Sequence, residues 1–125
     1  MKEVAMGESK TYRGSCHCGN VKYDVELDLS GPVTACNCSM CGRTGSLMAF
    51  VPEDKFHLLS GEDSLSDYLF NTKRIHHLFC DNCGVRSFAR GTGPGNTPMC
   101  MINVRCLADV DPLKLEIKHF DGKSR

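Results

Sequence analysis

The chain has 125 residues, 41% of them hydrophobic, with 15 Lys and Arg balancing 15 Asp and Glu. Zero formal net charge removes the electrostatic footprint of a nucleic-acid or acidic-membrane binder, and no run of about 18 apolar residues exists to span a bilayer. An N-terminus without an apolar h-region predicts a cytoplasmic, reducing setting, where nine cysteines are better explained by metal than by disulfides.

Residues 1–10 are polar and read as a flexible tail; residues 11–125 read as a single domain. The first clear element is "NVKYDVELDL". Val21, Tyr23, Val25, Leu27 and Leu29 alternate with Lys22, Asp24, Glu26 and Asp28, the period of a half-buried β-strand, and "SGP" at 30–32 ends it. Further short strands are predicted at 46–51, 55–60, 66–70, 75–80, 85–90, 100–104 and 114–120. Turn clusters such as "SGED", "DNCG" and "GTGPGNTP" separate them. No long 3.6-residue period appears, and only "ADVDPL" suggests a helical turn. The pattern predicts an all-β sandwich or open barrel. Phe50, Phe56, Leu58, Tyr68, Phe79 and Phe88 are the expected core, and "GTGPGNTP" is expected to be a rim loop.

Seven cysteines fall into three groups: Cys16 and Cys18; Cys36, Cys38 and Cys41; Cys80 and Cys83. The outer pairs, each followed by glycine, suit the two faces of one tetrahedral Zn²⁺. Cys16, Cys18, Cys80 and Cys83 are therefore expected to form a closed structural site. The central triple is different. Three thiolates and Zn²⁺ sum to −1 and leave a position that is either open to a ligand, as in catalytic zinc sites, or closed by a fourth residue. His57, His76, His77, Cys100 and Cys106 are the candidates to close it. His76 and His77 are adjacent and point to opposite faces of their strand.

The stretches "GSCHCGNVKYDV", "CNCSMCGRTGS", "FHLLSGEDSLSDYLF", "HHLFCDNCGVRSF" and "FDG" resemble the glutathione-dependent formaldehyde-activating enzyme family over residues 11–121. "IHHLFCDNCGVRSF" and "NVRCL" are similar to its centromere protein V-like branch. The resemblance implies a zinc-binding β-fold of the type shared with methionine sulfoxide reductase B, with two zincs: a structural one on Cys16, Cys18, Cys80 and Cys83, and a functional one on Cys36, Cys38 and Cys41. It implies a carbon–sulfur lyase-like activity joining glutathione, or another small thiol, to formaldehyde or another small carbonyl compound. In that context Arg43, directly after the triple, is a candidate for a glutathione carboxylate, as are Lys73 and Arg74. One rival is a non-catalytic zinc-stabilised binding module of the centromere protein V type. Another is a thiol–disulfide reductase, for which Cys100 or Cys106 would have to supply the free thiol.

Overall fold

The computed structural model describes residues 9–69 and 75–124. The predicted tail at 1–8, together with Phe70, Lys73 and Arg74, lies outside the described residues. The alternating segment is a strand as expected, but it has a partner on each side. β1 (Lys10–Ser15) pairs antiparallel with β2 (Lys22–Leu27), and β2 with β5 (Phe56–Ser60), giving a three-stranded sheet. Lys10 therefore opens a strand and is not tail, because its register partner is Leu27.

The remaining strands build a seven-stranded sheet. They are β3 (Val33–Cys36), β4 (Met48–Pro52), β6 (Leu65–Tyr68), β7 (His76–Cys80), β8 (Phe88–Thr92), β9 (Pro98–Asn103) and β10 (Ile117–Phe120), in the order β10-β3-β4-β9-β8-β7-β6. All neighbours are antiparallel except β10, which lies parallel to β3. Neither sheet closes on itself, so the architecture is all-β and open. Among the described residues one short α-helix occurs, α1 (Cys41–Thr44), and 3₁₀ turns include Pro112–Lys114 near the predicted helical turn.

The core lies between the sheets. Val21, Tyr23, Val25 and Leu27 of the smaller sheet's β2 face are buried, and so are Val51, Phe88, Cys100 and Ile102 of the larger. Three rings lock the two together: Tyr23 to Phe56 at 5.0 Å, Tyr23 to Phe88 at 5.6 Å and Phe56 to Phe88 at 4.5 Å between centroids. Burial of Tyr23 is tolerable because its hydroxyl donates to the Ser87 carbonyl at 3.1 Å. A Cβ at Gly14 would overlap that ring, which is why β1 carries glycine there.

Three expected core residues are not in the core, Phe79 among them, half-buried on β7 and outside the core cluster. Phe50 is 53% exposed and Tyr68 47% exposed. The reason for Phe50 is strand alternation. Val51 on β4 points inward, so its neighbour must point to the opposite face of the sheet. The glycine-rich "GTGPGNTP" is the β8–β9 hairpin turn.

Candidate metal centres and pocket

The first cluster is made at the meeting of the two sheets. Cys16 and Cys18 follow β1, while Cys80 ends β7 and Cys83 lies in the turn after it. The four sulfurs lie within 4.8 Å of one another. Cys16 Sγ to Cys18 Sγ and Cys18 Sγ to Cys80 Sγ are each 3.7 Å. That is far too long for a disulfide. It matches the edge of a tetrahedron with about 2.3 Å zinc–sulfur bonds, which is about 3.8 Å. Both loops turn their backbone amides onto the sulfurs. The Val21 N–H donates to Cys16 Sγ at 3.3 Å, and the N–H groups of Cys18 and Val85 draw the Cys83 thiol down to about 6. Gly84, at φ 80°, closes the second loop with its N–H on the Cys80 carbonyl at 2.7 Å. The donor set, spacing and amide shell fit a four-thiolate zinc site.

The second cluster sits at the end of β3 and the start of α1. Cys36, Cys38 and Cys41 place their sulfurs within 4.8 Å of one another, and no further His, Cys, Asp or Glu among the described residues joins them. The tight turn again aims amides at sulfur: Cys38 N–H to Cys36 Sγ at 3.4 Å and Cys41 N–H to Cys38 Sγ at 3.3 Å. Burial opposes ionisation of Cys38, yet the amides of Cys41 and Met40 hold its thiol below the ordinary value. Burial, followed by the neighbouring sulfurs of Cys38 and Cys36, pushes Cys41 up to about 12. Three thiols that cannot all ionise together without a cation are a suitable donor set for a divalent metal.

The C-terminal segment latches this loop. Asn37 Nδ2 donates to Asp121 at 3.0 Å, and the Lys123 N–H donates to Asn37 Oδ1 at 2.9 Å. A Cβ at Gly122 would overlap Cys36 Sγ, so the glycine of "FDG" is required by contact with the cluster.

A cavity of about 410 Å³ opens beside the triple. Its floor is the face of the seven-stranded sheet opposite the core. The register aligns Phe50 with Met101, Met101 with Ala89, and Ala89 with His77, and all four line the cavity. At the other side Lys118 pairs with Thr34 and Phe120 with Cys36. The adjacent histidines separate as expected. His77 is buried in the cavity wall, and burial, then the nearby Arg86 charge, lowers its pKa, so the ring is neutral at pH 7. His76 is outside, with Nδ1 2.6 Å from Asp67 Oδ2.

The other candidates fall elsewhere. Arg43 is exposed and does not line the cavity; its guanidinium donates to the Ser39 carbonyl one turn back at 2.8 Å. His57 is exposed on β5 in the other sheet. Cys100 is buried in the core, where desolvation pushes its thiol up to about 11, and burial likewise raises Cys106. Neither is poised as a nucleophile, which counts against the reductase reading. Among the described residues of 91–98 none lines the cavity, which places the glycine-rich turn away from its described rim. What the sequence reading passed over is Arg86, half-buried in the cavity wall near Cys41. Its position three residues after Cys83 was the available signal, since the segment that leaves such a loop is held fixed.

A protein-family model described as glutathione-dependent formaldehyde-activating enzyme matches residues 11–122. Among solved structures, the chain is similar to a crystal structure of a Rhodobacter sphaeroides protein, with a TM-score of 0.75 and 29% sequence identity, over 86% of this chain and 99% of that one. With nearly the whole chain matched, cysteine groups included, the protein belongs to the glutathione-dependent formaldehyde-activating enzyme family.

Proposed function

We propose that this protein, with residues 11–125 as one domain holding two zincs, joins a thiol to a small carbonyl compound, glutathione and formaldehyde being the pair its family suggests. The observation that carries the reading is the position of the three-cysteine cluster in the wall of a cavity, with no fourth ligand among the described residues. Cys16, Cys18, Cys80 and Cys83 would hold the structural ion, and Cys36, Cys38 and Cys41 the functional one. What zinc supplies at such a site is the thiolate form of a bound thiol at neutral pH and polarisation of a carbonyl oxygen.

The chain's own residues do the rest. Amides of Cys38 and Cys41 hold the cluster's sulfurs in place. The apolar floor gives the reacting pair a surface that holds little water by hydrogen bonding. The neutral His77 imidazole in the cavity wall would accept the substrate S–H proton and return it to the carbonyl oxygen. The S–H bond and the carbonyl π-bond break, while S–C and O–H bonds form, so the addition is balanced without an oxidant or reductant. Such chemistry belongs in a reducing compartment, and we place it in the cytoplasm. Among the described residues no helix is long and apolar enough to cross a membrane.

Titrating zinc-loaded protein with glutathione and, in parallel, S-methylglutathione by calorimetry tests the reading. Binding that requires the free thiol supports it; equal binding of both overturns it. A second reading, the non-catalytic partner-binding module of the centromere protein V-like branch, draws on Phe50, Ile75 and Phe120, which stand 53%, 39% and 39% exposed around the cavity. It predicts that neither titration gives heat.

A further inference from the structure

The cavity is far larger than a small aldehyde requires. Formaldehyde has two heavy atoms and fills little more than a water's share of volume, about 30 Å³. A cavity of about 410 Å³ is the size of a site for a whole small molecule. Its walls say which kind. Met40, Met48 and Met101 give a soft, adaptable surface, and Phe50, Ile75 and Phe120 extend it to the mouth.

Charge narrows the class further. Two cations line the cavity, Arg86 half-buried and Lys118 exposed, and no Asp or Glu is among its described lining residues. Neither cation makes an ion pair with a carboxylate among the described residues. A half-buried guanidinium with no carboxylate is a standing desolvation cost that an incoming anion would offset. The metal-loaded triple, at −1, balances one of the two positive charges and leaves the other for a ligand. The α-ammonium of glutathione finds no acidic partner here, whereas a lone carboxylate meets a planar fork of donors.

We propose that the cavity takes a monocarboxylate with an apolar body, the carboxylate seated on Arg86, the chain lying against the methionines, and the reacting end at Cys36, Cys38 and Cys41. Only that reacting end rests on the thiol–carbonyl chemistry proposed above. The carboxylate is carried either by the thiol or by the carbonyl compound.

Calorimetry on the zinc-loaded full chain tests this with hexanoate and hexanol, which have neither thiol nor carbonyl group able to react. Hexanoate binds roughly tenfold more tightly than hexanol, or better, as expected for a charge-assisted hydrogen bond. Arg86→Gln removes the difference and Arg86→Lys restores much of it, with circular dichroism confirming that each variant is folded. Hexanol binding as tightly as hexanoate overturns the proposal in the wild-type protein alone, whatever the variants do. Hexanoate binding unchanged by a folded Arg86→Gln also overturns it. Tighter binding of ω-mercaptohexanoate than of hexanoate assigns the carboxylate to the thiol; tighter binding of ω-oxohexanoate assigns it to the carbonyl compound. Loss of thiol-dependent binding with hexanoate binding intact would end the proposed activity and leave this inference standing; turnover of glutathione without hexanoate binding would do the reverse.

Discussion

The two cysteine clusters use the same ligand chemistry for opposite ends. In the first, Cys18 and Cys80 are 62 residues apart in sequence yet 3.7 Å apart at sulfur, so a bound ion ties the start of one sheet to a hairpin of the other. In the second, all three sulfurs come from residues 36–41, and a bound ion orders only a loop that α1 and the Asn37–Asp121 contact already hold. Closing a long loop takes much entropy from the unfolded chain; closing a six-residue one takes little. What the second cluster lacks as a cross-link it gains in access, because its sulfurs face a cavity while Cys16 and Cys80 are buried. On the function proposed above, the distribution of donors along the chain is what separates a structural centre from a functional one.

The contrast can be broken most forcefully at Cys80. Structural zinc supplies about 10–16 kcal/mol of apparent binding energy, as much as the whole stability of an ordinary domain. Cys80→Ser is expected to abolish cooperative thermal unfolding followed by circular dichroism; a melting curve close to wild type would refute a structural role for that cluster. At the other cluster, Cys38→Ser is expected to lower the zinc content measured by elemental analysis and abolish turnover, while the melting temperature stays near that of the wild type. A gentler probe of the same loop is Gly122→Val, whose side chain would press on Cys36 Sγ and the Cys38 Cβ. Disturbing a contact behind the ligands costs about 10–100-fold in metal affinity, read by competition with a chelator, with the other zinc retained.

The smallest effect concerns His77. Its pKa in the fold is depressed by burial and then by Arg86, so protonation favours the unfolded chain. The stability this contributes is fully present above the ordinary histidine value of about 6.5 and is lost as pH falls through the lower folded value. Urea midpoints measured at pH 7.5 and 5.5 should therefore fall less in His77→Gln than in the wild type, and an identical fall in both proteins would remove His77 from the account.

Much of this was legible before the fold was known. The alternation from Val21 to Leu27 gave β2 and its buried face, and the cysteine spacings gave the two clusters that could hold metal ions. The strands at 46–51 and 75–80 were placed within two residues of β4 and β7. Other features were hidden. β3 and β10 are four residues each, and all of β10 is exposed, so neither strand has enough alternation to reveal its partner. "SLMAFV" is apolar on both faces of its strand, and Phe50 is expected in the core. Its second apolar face is instead the cavity floor, which explains the error at Phe50. Arg43 and Arg86 each lie close to a cysteine group in sequence, and only Arg86 turns into the cavity.

The sequence by itself determined which thiols act together and which segments are extended, because both depend on spacings of a few residues. Ligand geometry and strand pleat operate at that range. Which face of the large sheet is core and which is site was decided only by the tertiary structure, through the smaller sheet covering one side. So were the inward turn of His77, the approach of Gly122 to Cys36 and the exposure of the three-cysteine loop to a cavity. Each of these depends on strands distant in sequence coming into register, and a period of two residues cannot say which partner a strand will find.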